Sequence, residues 1–372
     1  MPLKEIPWFL PQLGREEQEE VLKVLESNYI NDGEVTRALE RKISEYLGGG
    51  FCLAVTSGTV AITLSLIALG VGPGDEVIVP DFTFIATANA ARLIGAEVKL
   101  VDIEPERFTI DSKKVEASIT KKTKAVIAVD VNGRAADYEA LEALCSHYEL
   151  ALVCDSAEAL GSRYKGRYLG TYGDVGCFSL SANKTLTSGQ GGLIITSNEK
   201  LYFRLKELKD QGRRYGGTGG DDLHPVVGFN FKYTNLQAAV ALAQFDRLSF
   251  RLDHFKKRDS LYRKLLGNCP TLTFPAFNDS SGEVLQWTDV LCKDREALAF
   301  TLKSHKIGFR SFWIPLHKQT PYLLPDEGFD TAIRVSEEGL WLPSSFELTE
   351  EEMRFIAEVI SNEASCKSLI NN

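Results

Sequence analysis

Residues 177–196 read CFSLSANKTLTSGQGGLIIT. An apolar run enters a Ser/Asn-rich bend, passes one lysine and a glycine cluster, and leaves as a β-branched strand. That pattern places Lys184 between two buried elements. A lone lysine in a bend is ordinarily solvated surface charge. Lys184 is not alone, because VCDSAEALG ends a strand on Asp155 with Glu158 three residues later, and VTSGTVAITLSL sets Ser57, Gly58 and Thr59 before a helix.

Together these are an amine able to form a Schiff base, an acid to face a pyridine nitrogen, and a helix start to receive a phosphate. They point to pyridoxal phosphate. A Schiff-base lysine needs some neutral amine, which loss of solvent favours. Asp155 taken singly reads as a strand-end carboxylate, Glu158 as a solvated or turn-bonded glutamate, and Ser57 as a plain helix cap. Ser179 adds a hydroxyl five residues before the lysine. Phe84, in PDFTFIATANAA, is placed to lie on a ring face, or else to fill core.

Working outward, apolar runs at 51–55, 76–80, VKLVDI, AVIAVD, ALVCD, GCFSL and GLIIT alternate with helical segments. Near-continuous apolar strands joined by helices predict an α/β fold with a mostly parallel central sheet covered on both faces. Ligands in such sheets bind at the carboxyl ends of strands, where Asp130 and Asp155 fall. Residues 15–27 predict an amphipathic helix with Val21, Leu22 and Leu25 inward. RRYGGTGGDD, at 213–222, reads as a mobile loop. Thr234 or Asn235 would cap the long helix that follows. A charged helix at about 247–267 leads into a smaller α+β unit, so the division expected is 1–246 and 247–372. The tract FRSFWIPLHKQTPY, at 309–322, is either an aromatic domain edge or a substrate wall with Arg310 and His317 as polar tips.

The chain has 372 residues, is 44% hydrophobic and 25% charged, and carries a formal net charge of −9. That acidity argues against a nucleic-acid footprint. No run approaches the about 18 apolar residues of a membrane span. MPLKEIPWFLPQLG interrupts any signal-peptide core with prolines and an acid. Seven scattered cysteines without a CxxC pair fit reduced thiols in a cytoplasmic enzyme, with no metal site.

NYINDGEVTRALERKISEYLG, TSGTVAITLSLIALGVGPGDEVIVPDFTFIATANA, DSAEALGSRYKGRYLGTYGDVGCFSLSANKTLTSGQGG, GFNFKYTNLQAAVALAQ and IPLHKQTPY span nearly the whole length. In these strings the chain closely resembles the DegT/DnrJ/EryC1/StrS family of nucleotide-sugar aminotransferases, of the fold type I, aspartate-aminotransferase-like class. The resemblance implies that Lys184 carries the cofactor, Asp155 pairs with the pyridine nitrogen and Glu158 meets the 3′ oxygen. It implies that Phe84 stacks on the ring, and that Gly58, Thr59 and Ser179 bind the phosphate. It further implies a homodimer with shared sites, in which Asn230 and Lys232 reach the neighbouring subunit's phosphate, and Asn31, His317 and Tyr322 approach the sugar nucleotide.

The implied reaction moves an amino group from L-glutamate to a keto-sugar. A branch with histidine in place of the lysine performs 3-dehydration, which Lys184 disfavours. NGR at 132–134, FSLSANKT and GFNFKYTN look most like the branch forming GDP-perosamine from GDP-4-keto-6-deoxy-D-mannose. UDP- and dTDP-linked 3-keto or 4-keto sugars, and a non-catalytic binder, are the alternatives. Three features depart from the family pattern: Gln190 where GEGG has glutamate, Tyr138 where methionine commonly follows Asp137, and Lys232 where arginine is frequent. Lysine neutralises a phosphate without arginine's bidentate fork.

Overall fold

A computed structural model describes residues 5–214 and 222–370, with side chains to residue 363. Most of the expected mobile loop at 213–222 lies outside the described residues.

In chain order the first half comprises α1 (Arg15–Glu26), α2 (Glu34–Tyr46), β1 (Phe51–Val55), α3 (Gly58–Ala68), β2 (Glu76–Pro80), α4 (Ala86–Arg92), β3 (Glu97–Val101), α5 (Ser112–Ser118), β4 (Thr123–Val129), α6 (Tyr138–His147) and β5 (Ala151–Asp155). A hairpin of β6 (Arg163–Tyr164) and β7 (Arg167–Tyr168) precedes β8 (Val175–Ser179), β9 (Gly192–Thr196), α7 (Glu199–Lys209) and α8 (Asn235–Asp246). The remainder comprises α9 (Leu248–Leu266), β10 (Leu272–Thr273), β11 (Asp289–Cys292), α10 (Arg295–Ser304), β12 (Arg310–Ser311), α11 (Asp330–Glu338), β13 (Gly339–Trp341) and α12 (Glu350–Ile370).

Seven strands form one sheet in the order β1-β9-β8-β5-β4-β2-β3. Only β9 runs against the others, pairing antiparallel with both β1 and β8. The carboxyl ends of β1, β2, β4, β5 and β8 therefore open on one edge. Side-chain alternation divides the apolar strands between two faces. Leu53, Val55, Val153 and Cys177 pack with α3, α4 and α7. Leu152 and Cys154 turn to the side of α5 and α6, while Cys52, Ala54 and Phe178 meet α2 and α8. Each fully buried aliphatic side chain contributes about 1.5–3 kcal/mol, so both faces must be covered.

The second sheet, β10-β11-β13-β12, is antiparallel throughout. It is backed by α9, α10 and α12 through Tyr262, Leu302 and Ile356. Phe82, Phe108, Trp287, Phe312, Trp313 and Trp341 join the two sheets in an aromatic cluster. A buried ion pair reinforces that junction: the Arg134 guanidinium donates to both oxygens of Asp289, at 2.6 and 2.8 Å.

The inward face expected for α1 is corrected. Leu22 and Leu25 are about half exposed, and the buried positions are Glu17 and Val24. Glu17 folds back on the Gly14 N–H at 2.6 Å and engages Gln244 of α8, so an acid occupies the contact stripe. FRSFWI and LQWTDVLC form shorter strands than their apolar content suggests, since much of each tract belongs to the aromatic cluster.

Candidate active site

The carboxyl edge of the large sheet holds a cavity of about 330 Å³. Its wall includes Ser57, Gly58, Thr59, Phe84, Asp155, Glu158, Ser179 and Lys184. These come from strand ends, helix starts and bends up to 127 positions apart (184 − 57), brought together because their strands share one direction.

Lys184 occupies a bend fastened at several points. Its N–H donates to the Ser181 carbonyl at 3.0 Å, and the Leu180 N–H donates to the Gly191 carbonyl at 2.9 Å. Gln286, just before β11, grips the bend from the other side. Its Oε1 accepts from both the N–H and Oγ1 of Thr185 at 3.2 Å, and its Nε2 donates to the Asn183 carbonyl at 3.2 Å. The lysine side chain is 12% exposed and reaches Glu158 Oε1 at 3.1 Å, with its Nζ 5.3 Å from the Trp287 ring centroid. The other Glu158 oxygen accepts the Asn132 N–H at 3.0 Å. Asn132 adopts φ 54°, in the left-handed region asparagine tolerates.

Asp155 is buried at the end of β5. One oxygen accepts from Thr87 Oγ1 at 2.7 Å and the other from the Ala157 N–H at 3.2 Å. Burial raises its pKa, opposed by those two hydrogen bonds and then by Lys184, while Glu158 adds to the rise. A cation entering beside it would favour the carboxylate.

At the opposite wall, Ser57 caps α3 by accepting the Val60 N–H at 3.2 Å, and the first N–H groups of the helix are available to an anion. A Cβ on Gly58 would lie 3.0 Å from Ser179 Cβ, and one on Gly192 would lie 2.3 Å from the Ser57 carbonyl oxygen. The wall is thus backbone brought close to a hydroxyl, a cradle that side chains would fill. Phe84 is 51% exposed over the opening.

Five residues named from the sequence stand elsewhere in this chain. Asn230 bridges to Asp210, and Lys232 forms an ion pair with the same aspartate. Asn31 lies at the surface, its carbonyl accepting the Asn235 N–H at 3.0 Å. His317 is wholly buried, with Nδ1 2.6 Å from Asp81 and Nε2 3.1 Å from Asp326. Tyr322 is also buried and donates to Asn89 Oδ1 at 2.7 Å. Thr234, one of the two caps considered, accepts the Gln237 N–H at 3.3 Å.

Thr87, Ser181, Asn183, Trp287 and Gln286 join the site without having been expected from the sequence. Thr87 follows Phe84 by three residues, so its helical spacing is a usable signal. Gln286, a hundred positions from Lys184, has none. Arg310 and Trp313 also line the cavity, so the aromatic tract is both a packed edge and a wall.

A family model, the DegT/DnrJ/EryC1/StrS aminotransferase family, matches residues 11–361. The chain belongs to the DegT/DnrJ/EryC1/StrS aminotransferase family. Within its range of relatives, GDP-perosamine synthase of Escherichia coli O157:H7 is 33% identical over 96% of this chain and 98% of its own. The Caulobacter vibrioides enzyme of the same name is 35% identical over 92% and 94%. A putative sugar aminotransferase from Streptococcus pneumoniae, solved in its PMP form, superposes with TM-score 0.93 at 26% identity, covering 99% of this chain and all of that one. The same enzyme in its PLP form gives 0.92.

The α/β fold type I architecture and the aminotransferase activity follow from that membership. Pyridoxal phosphate, the cofactor of this family, fits the residues present: a shielded amine, a buried acid and a backbone cradle share one cavity. Among the described residues there is no cluster of histidine, cysteine and carboxylates able to hold a metal. No described helix is long and apolar enough to cross a membrane.

Proposed function

We propose that the protein transfers the amino group of L-glutamate to GDP-4-keto-6-deoxy-D-mannose, yielding GDP-perosamine and 2-oxoglutarate. The observation carrying this reading is the shared cavity of Lys184 and Asp155 behind the α3 cradle. The acceptor is supported by the two relatives named GDP-perosamine synthase.

Pyridoxal phosphate, when bound, supplies a carbonyl that carries the amino group and a ring that withdraws electrons from the reacting carbon. The Gly58 and Thr59 N–H groups with the Ser57 and Ser179 hydroxyls would hold its phosphate. Asp155 would keep a proton on the ring nitrogen, Phe84 would cover one ring face, and Glu158 would meet the 3′ oxygen through a shared proton. Lys184 Nζ would take the proton leaving the donor carbon and return it on the other side of the transfer. Glu158, 3.1 Å away, orients that ammonium. Arg310, half-buried between Trp8 and Trp341 at 5.3 and 5.5 Å, faces the cavity with a charge suited to a carboxylate or phosphate of the substrates.

The working unit in this reading is a homodimer. Asn230, Lys232 and Asn31 lie away from their own cavity and would serve the partner's, with His317 and Tyr322 shaping the approach for the sugar nucleotide. Residues 1–246 carry the cofactor groups, and 247–372 contribute Arg310, Trp313 and the Gln286 clamp. The six free thiols buried among the described residues support a reducing compartment, the cytoplasm.

The test loads the protein with glutamate, then offers GDP-, UDP- and dTDP-linked keto-sugars and identifies amino products by mass spectrometry. Stoichiometric 2-oxoglutarate followed by GDP-perosamine is the expected result. Amination of another nucleotide-sugar alone would overturn the acceptor. Absence of 2-oxoglutarate would overturn catalysis and leave a binder.

A further inference from the structure

Among the described residues lining the cavity two are cations, Lys184 and Arg310, and both lie over tryptophan rings. Lys184 Nζ is 5.3 Å from the Trp287 ring centroid. The Arg310 guanidinium is 5.3 Å from the Trp8 ring and 5.5 Å from the Trp341 ring. The three indoles form one row with Trp287 in the middle, 5.4 Å from Trp8 and 5.3 Å from Trp341. Trp8 comes from the N-terminal segment, Trp287 precedes β11, and Trp341 ends β13 opposite Arg310 of β12. A cation within about 6 Å of an aromatic centroid is attracted by the negative face of the ring, and most strongly by that of tryptophan.

Packing alone does not call for an indole at position 287. The ring is fully buried, and its Nε1 has no hydrogen-bond partner among the described residues. A purely apolar side chain would occupy that space without burying an unpaired N–H, which counts against the fold. What an aliphatic chain could not supply is attraction for the ammonium. Among the described residues Glu158 is the one hydrogen-bond partner of Lys184 Nζ, and Asp155 acts on it at longer range. A hydrogen bond fixes Nζ in one direction. A ring face holds the charge without using a donor, and an ammonium has three of them, so the amine is held but not fully bonded.

We propose that Trp287 is a positioning residue for Lys184: its indole face holds the ammonium that forms when Nζ takes the proton of the amino donor. The neutral amine is not attracted in this way. The ring therefore favours the arrival of the proton and not the binding of substrate. Trp8 and Trp341 hold Arg310 by the same means, so one row of rings supports both cations of the cavity. The link to proton transfer rests on the proposed reaction; the hold on the ammonium does not.

Tryptophans of increasing ring fluorination, placed at position 287 alone, keep the shape of the indole while weakening its negative face. In cofactor-free protein at fixed pH, trace acetic anhydride labels neutral amines. Lys184 labelling, read by peptide mass spectrometry against the exposed Lys113, is expected to rise stepwise, by at least about threefold across the series. In the loaded enzyme the single-turnover rate of 2-oxoglutarate formation should fall by a similar factor, with glutamate affinity unchanged. Trp287→Phe, which keeps a face, should label less at Lys184 than Trp287→Leu, which has none. Labelling or rate unmoved by fluorination, or equal labelling in the two substitutions, overturns the proposal. Should Trp287→Leu not fold, the fluorinated series still decides. Absent 2-oxoglutarate in wild type, beside the stepwise labelling, would count against the proposed reaction alone.

Discussion

The Lys184 ammonium and Glu158 meet at 3.1 Å inside a cavity wall, both side chains nearly closed off from solvent. The same carboxylate is held from behind by the Asn132 N–H at 3.0 Å, so the pair is a positioned amine and not a surface ion pair. Lys184→Ala should bind pyridoxal phosphate without covalent attachment and lose glutamate-dependent 2-oxoglutarate formation by at least about a thousandfold, consistent with removal of both nucleophile and proton carrier. Stopped-flow absorbance with glutamate measures it.

Gln286 should matter although it touches no reacting atom. Its three hydrogen bonds hold Asn183 and Thr185 on either side of the lysine. Gln286→Ala leaves buried polar groups unpaired, at a stability cost of about 1–3 kcal/mol. It should also reduce kcat more than it raises KM, because the amine is displaced rather than the substrates. Urea unfolding and steady-state kinetics together check this.

The α3 cradle depends on missing side chains. In Gly192→Ala the new Cβ would sit 2.3 Å from the Ser57 carbonyl oxygen, so the cap of α3 must shift. Affinity for pyridoxal phosphate should fall at least about tenfold, or about 1.4 kcal/mol, by fluorescence titration. The fold should persist by circular dichroism.

The junction between the sheets should be sensitive to charge. Asp289 accepts both arms of the buried Arg134 guanidinium and a hydrogen bond from Asn132 at 2.9 Å. Asp289→Ala strands a buried cation and should cost about 3–5 kcal/mol. Asn132 links this pair to Glu158, so activity should fall along with the melting temperature.

Stability should respond to pH through Asp130. Its folded-state pKa of about 7 lies above the value of the unfolded chain, so the native state binds the extra proton between those values. Stability from this group is therefore full below the unfolded value and is lost as pH rises to about 7. Buried Asp81 and partly exposed Glu40, also shifted upward by desolvation, act in the same sense. Wild type should lose more melting temperature than Asp130→Asn between mildly acidic and mildly alkaline buffer, by scanning calorimetry.

The large sheet was legible because its strands are apolar on both faces and bounded by glycine, proline and carboxylates. FCLAV gave β1 and GLIIT gave β9 at their observed limits. The reversal of β9 left no such mark, since pairing direction is decided by neighbours that sequence does not order. Leu22 and Leu25 misled because helical spacing identifies a stripe without saying which neighbour claims it; α8 selected Glu17 and Val24. Lys184, Asp155 and Ser57 were readable because each sits at a turn between two clear elements. Gln286 was not, because a glutamine before a strand carries no local signature of the loop it clamps. Lys232 is paired with Asp210 within its own chain, a contact that no spacing announces.

The most direct measurement is borohydride reduction of the protein loaded with pyridoxal phosphate, followed by proteolysis and peptide mass mapping. A single stable cofactor label on the peptide containing Lys184, absent from Lys184→Ala, is the predicted result. Label on a different lysine, or no label in a protein saturated with cofactor, would contradict the assignment of this amine and the active site built around it.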